Sequence, residues 1–136
     1  MYQFAKKERL CNRIDIENLF SKGQSFLIYP FSVKYIVKTN YSSSKVQVLL
    51  LSPKRYQKLS VSRNRAKRLI RESYRLNKDV INKFAKDESC DLNIAVSLIS
   101  KSLPDFKTVD ESVRKILNRV ILNTKSQIEN DSQNNQ

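Results

Sequence analysis

The chain has 136 residues and a formal net charge of +13, from 26 Lys and Arg against 13 Asp and Glu. It contains no His, no Trp, two Cys and one Gly. One glycine is too few for a Walker loop, a dinucleotide-binding G-x-G-x-x-G or a GXXG clamp, and the glycine-containing signature of the common four-stranded RNA-binding domain is absent. Without His there is no Ser-His-Asp or Cys-His catalysis and no His-containing zinc site, and two Cys cannot form a four-thiolate site. Composition thus points away from self-sufficient catalysis and toward binding a polyanion.

A chain of this length fits one domain, and no run of about 18 apolar residues predicts a membrane span. Lys6, Lys7 and Arg9 are not followed by an apolar region, so no secretory signal is read. The expectation is a cytoplasmic protein with Cys11 and Cys90 as reduced thiols.

In chain order, residues 1–11 read as an extended basic arm. Asn12 is a helix N-cap with Asp15 in the first turn, and Ile16, Leu19 and Phe20 follow at helical spacing. Gly23 stands where a helix stop takes positive φ, so a helix is predicted at about 12–22. Phe31, Val33, Tyr35 and Val37 alternate with Ser32, Lys34, Ile36 and Lys38, the pattern of a half-buried strand. Residues 39–44 (TNYSSS) read as a turn, and 45–51 (KVQVLLL) as a second strand limited by Pro53. A further short strand is considered at 52–59. Residues 61–76 give the strongest helix, 77–91 a short, partly helical stretch, 92–98 (LNIAVSL) a strand, and 109–122 an amphipathic helix. The Asn/Gln/Ser-rich residues 124–136 read as a disordered tail beyond a domain spanning 1–123. The order predicts an α+β fold with about three helices packed on a small central sheet.

The charge is concentrated. Residues 53–78 hold Lys54, Arg55, Lys58, Arg63, Arg65, Lys67, Arg68, Arg71, Arg75 and Lys78 against Glu72 alone, so nine of the thirteen net charges lie there. At about 100° per residue, Ala66, Leu69, Ile70, Ser73 and Leu76 share one helix face, and Asn64, Lys67, Arg68, Arg71 and Arg75 share the opposite one. A merely solvated face usually mixes both signs, because like charges four apart destabilise a helix. An Arg-rich stripe suits phosphates, which the planar guanidinium binds bidentately, and Asn64 within it could reach a base edge or a 2′-hydroxyl. Among Phe20, Phe26, Tyr29, Phe31 and Tyr35, most are expected in the core, with one or two free to stack on single-stranded bases.

The segment Ser62-Arg63-Asn64-Arg65-Ala66-Lys67-Arg68-Leu69-Ile70-Arg71-Glu72-Ser73-Tyr74-Arg75 resembles the arginine-asparagine-arginine helix of the protein subunit of bacterial ribonuclease P. Pro53-Lys54-Arg55, Lys58 and Ser60-Val61 are similar to the loop before that helix, and Arg9-Leu10, Asp15-Ile16, Leu19-Phe20 and Lys22-Gly23 to the family's opening helix. The resemblance covers roughly residues 4–122. It implies an α+β fold with a left-handed crossover and a role beside a catalytic RNA that holds Mg²⁺ and removes the 5′ leader of precursor tRNA. No cofactor bound by the protein, no membrane and no obligate protein partner are implied. By resemblance, Lys54, Arg55, Lys58, Arg63, Asn64, Arg65, Lys67, Arg68, Arg71 and Arg75 contact RNA, and Ile16, Phe20 and Lys34 line a cleft for the leader. Two positions depart from the family pattern: Ile16 stands where an aromatic is frequent, and the loop around Lys58 lacks a glycine that many members carry. A structural RNA-binding protein of ribosomal type shares the charge and the basic helix and is the main alternative. A DNA-binding regulator is disfavoured because only Asn64 suits base readout. An autonomous metal-dependent nuclease is disfavoured by the missing His and scarce acids.

Overall fold

The computed structural model describes residues 8–39 and 44–134. The elements run α1 (Arg13–Lys22), β1 (Gln24–Ile28), β2 (Phe31–Thr39), β3 (Val46–Leu51), α2 (Ser60–Asp87), β4 (Cys90–Leu98) and α3 (Phe106–Asn134). The four strands form one sheet in the order β1-β2-β4-β3. β1/β2 and β2/β4 pair antiparallel, whereas β3/β4 pair parallel with α2 as their crossover. The architecture is the α+β arrangement read from the sequence.

The period-two pattern sorts the sheet into two unlike faces. Phe31, Val33 and Tyr35 of β2 lie opposite Leu98, Val96 and Ile94 of β4, with Val46 and Val48 alongside. This face is buried against Ala66, Ile70, Tyr74, Ile81 and Phe84 of α2 and Val109, Val113, Ile116, Leu117 and Val120 of α3. The other face carries Lys34 opposite Ala95 and Ser32 opposite Ser97. Only part of it is covered, where Leu19 of α1, Leu10 and Ala95 form a second small core with Ile16, Ile36 and Leu49.

Several boundaries differ from expectation for identifiable reasons. Asn12 caps α1 as predicted, its side-chain oxygen accepting from the Ile14 and Asp15 amides at 3.0 and 3.2 Å. Gly23 does end α1, but with φ −71° and ψ 155°, a backbone open to any residue. Its lack of a side chain matters instead: a Cβ there would lie 2.3 Å from the Leu19 carbonyl oxygen and 3.0 Å from that of Tyr35. The left-handed helix stop belongs to Ser89 (φ 50°), just past α2. The sequence reading placed no strand between Gly23 and Phe31, yet Gln24–Ile28 pairs along β2 after a turn at Tyr29–Pro30. No strand forms at 52–59; there the Tyr56 and Gln57 amides both donate to the Pro53 carbonyl at 3.1 Å.

α2 is one helix of 28 residues rather than a helix and a separate stretch. Asn77, which read as a break, is a satisfied polar position. Its side-chain amide donates to the Ser73 carbonyl and to Asp110 of α3 at 2.8 and 2.9 Å, and Ser73 Oγ donates to the same carboxylate at 2.8 Å. The buried face is accordingly centred on Ala66, Ile70, Ser73 and Tyr74, while Leu76 is exposed. The tail expected to be disordered from 124 instead continues α3 to Asn134, with Thr124 fully buried and Gln127 hydrogen-bonded to Gln24. Of the predicted N-terminal arm, Arg9 bridges Val48 on the β3 edge and residues 1–7 lie outside the described residues, as do 40–43 of the predicted turn.

Candidate nucleic-acid interface

α2 presents its basic side chains to solvent because its other side is fixed on the sheet and α3. Asn64, Arg65 and Arg68 are exposed, and Lys67, Arg71 and Arg75 are partly so. Arg75 donates to Glu72, the one acid in the stretch, and this hydrogen bond holds the Glu72 carboxyl below the usual carboxylate range. The first turn of α2 contains no acidic residue and Leu59 provides no side-chain cap, so the positive end of the helix dipole adds to the same field. Two residues of the basic stretch are engaged within the protein. Lys78 is buried and donates to Glu8 at 2.8 Å, tying the N-terminal segment to α2. Arg63 donates from Nη1 to the Gln57 and Lys58 carbonyls at 3.0 and 2.8 Å.

The loop from Ser52 to Leu59 links this helix to the uncovered part of the sheet. There a cleft of about 650 Å³ opens. Its floor is Ser25 and Leu27 of β1, Ser32 and Lys34 of β2, Leu51 of β3, and Ala95 and Ser97 of β4. Phe20 of α1 forms one wall and Pro53, Arg55 and Tyr56 form another. The lining contains two cations and no acid. Each cation sits by an aromatic ring: Lys34 Nζ is 5.6 Å from the Phe20 ring centre and Arg55 is 4.9 Å from that of Tyr56. Lys34 also donates to the Phe20 carbonyl at 2.7 Å, satisfying an end group of α1, and Lys38 anchors α1 through Asp15 at 3.1 Å.

Phe20, Lys34 and Arg55 therefore meet in one cleft. Ile16 does not line it; it packs beneath α1 against the small second core. Lys54 and Lys58 are exposed on the connecting loop. The serines of the floor, Leu27 and Tyr56 escaped the sequence reading. Their signal was present in the polar half of the alternation in β2 and β4, Ser32, Lys34 and Ser97, which marks a sheet face that no helix covers. Both cysteines are free, with Cys11 exposed and Cys90 buried. Burial, assisted by Glu88 and Asp91, pushes the Cys90 thiol up to about 11.

A cationic helix surface and an acid-free cleft bearing aromatic–cation pairs together fit a polynucleotide: cations for phosphates, rings for bases. Comparison with known proteins agrees. Residues 4–121 match the family model described as Ribonuclease P. The ribonuclease P protein component of Porphyromonas gingivalis is 35% identical over 125 residues, covering 92% of this chain and 91% of that protein. That of Chlorobium phaeobacteroides is 28% identical over 128 residues, covering 89% and 86%. Among solved structures, the RNase P protein of Thermotoga maritima is similar with a TM-score of 0.62 at 28% identity, covering 82% of this chain and 96% of that one. The Staphylococcus aureus RNase P protein shares the fold, with a TM-score of 0.64 at 20% identity, covering 85% and 96%. By the match over most of its length and by its curated relatives, this chain belongs to the ribonuclease P protein family.

Proposed function

We propose that the chain is the protein partner of a catalytic RNA that removes the 5′ leader from precursor tRNA, and that its two basic surfaces hold two different RNAs. The observation that carries this reading is the placement of the cations. One set lines the solvent side of α2 and another lines the cleft, with the Ser52–Leu59 loop between them. Lys67, Arg68, Arg71 and Arg75 on α2, with Arg65, Lys54 and Lys58, neutralise phosphates of the catalytic RNA, and Asn64 fixes register by hydrogen bonding. In the cleft the single-stranded leader stacks bases on Phe20 and Tyr56 and sets phosphates against Lys34 and Arg55. Stacking and phosphate contact tolerate any base, which suits a leader of variable sequence.

In this reading the bond is cleaved at Mg²⁺ ions held by the RNA. The protein's contribution is differential binding: contacts to the leader favour precursor over mature tRNA, and phosphate neutralisation lowers the Mg²⁺ needed to assemble the complex. It works in the cytoplasm and needs no second protein. No helix among the described residues is long and apolar enough to cross a membrane. The test is the RNA that co-purifies with the protein from its own cells. The RNA subunit of ribonuclease P is expected, and ribosomal RNA in its place would overturn the reading.

A further inference from the structure

Arg63 opens the arginine-asparagine-arginine segment, yet its helical position differs from that of the other basic residues. It precedes buried Ile70 by seven residues and buried Tyr74 by eleven, which puts it on the buried side of α2, one turn beyond the core. From there its guanidinium turns back into the loop and donates to the carbonyls of Gln57 and Lys58. Gln57 is itself only 5% exposed. Its side-chain amide donates to the Ser100 and Lys101 carbonyls, in the connection from β4 to α3, at 2.8 and 3.1 Å. Its backbone amide closes the turn on Pro53. One residue therefore joins three parts: the cleft wall, the first turns of α2, and the chain leaving β4.

We propose that Gln57 and Arg63 form a joint that fixes the Arg55–Tyr56 wall of the cleft on the docking helix, making Arg63 a positioning residue and not a phosphate ligand. The buried amide substitutes for loop rigidity. A hydrogen-bonded side chain holds the turn, and Arg63 satisfies the two carbonyls that the turn aims toward the helix. The joint places the two RNA surfaces at a fixed separation, so the leader enters the cleft in register with the RNA docked on α2. This rests on the leader reading above.

The experiment compares the full-length protein with Gln57→Leu, Arg63→Met and the double variant, in two measurements. The first is amide hydrogen exchange of the free protein. Either single variant should speed exchange at Tyr56 and Gln57 while leaving amides beyond Ala66 protected, and the double variant should add little to the worse single one. The second uses the complex with the cognate RNA subunit. Precursor tRNA should lose about fivefold of its affinity advantage over mature tRNA, the worth of one neutral hydrogen bond. The salt slope of RNA-subunit binding should be the same in all four proteins. Unchanged exchange in Arg63→Met, with a slope smaller by about 0.7–0.9, would make Arg63 an ordinary phosphate contact and overturn the proposal. If the parent complex shows no leader preference, the leader reading fails, and the exchange measurement still decides the joint.

Discussion

The basic stripe makes its strongest prediction through Arg65 and Arg68. Both are exposed on α2, and neither forms an ion pair with another described residue. Replacing both by Ala removes two cations from the proposed RNA surface without removing a packing contact. With Lys54, Lys58, Lys67, Arg71 and Arg75 on or beside the same surface, the parent has about seven contacts and a log–log salt slope of about −5 to −6. Two fewer contacts flatten it by about 1.4–1.8. Between 50 and 200 mM salt the variant's affinity then falls about tenfold less than the parent's. Stability moves the other way or not at all, since Ala favours the helix and the substitution relieves like-charge repulsion worth a few tenths of a kcal/mol. Equilibrium binding to the cognate RNA across a salt series, with a urea titration of each protein, reads both quantities. An unchanged slope would mean that the stripe is merely solvated. A loss of more than about 1 kcal/mol in stability would mean that these side chains hold the fold.

Three further outcomes follow from particular contacts. Gly23→Ala should cost about 1–2 kcal/mol, the penalty for forcing the new methyl against two carbonyl oxygens less a small gain from a stiffer unfolded chain; a urea midpoint at or above the parent's would refute the steric account. Lys78→Met should cost about 2 kcal/mol by stripping Glu8 of a largely buried partner. It should leave the salt slope of RNA binding intact, and a flatter slope would show that Lys78 reaches phosphate after all. A thiol reagent near neutral pH should label Cys11 in the folded protein and Cys90 only after unfolding, because Cys90 is fully buried and its thiol titrates at about 11; rapid labelling of both would contradict the core packing.

Much of the architecture was legible because it is local. Asn12 and the spacing of Ile16, Leu19 and Phe20 specify α1, and the alternation from Phe31 to Lys38 specifies β2. What stayed hidden depends on partners far along the chain. Asn77 reads as polar until Asp110 of α3 is beside it, so α2 looked shorter than it is. Thr124 and Gln127 read as tail until α3 is seen to run past β1. Gly23 was located correctly for a different physical reason, since only the tertiary structure brings the Tyr35 carbonyl close to it. The site divides in the same way. The stripe is a property of one helix and could be read directly. The cleft is assembled from α1, all four strands and the Ser52–Leu59 loop, so local alternation could mark its sheet face but not gather its walls, and Ile16 packs outside its lining.

As proposed above, the protein serves an RNA catalyst and does not cleave RNA alone. Reconstitution with the cognate RNA subunit at low Mg²⁺ tests it most directly, with precursor-tRNA cleavage as the readout. Little cleavage is expected from either component alone and efficient production of the mature 5′ end from the two together, with tighter binding of precursor. Cleavage by RNA-free protein, or no change in cleavage and substrate affinity when protein is added to the RNA, would contradict it.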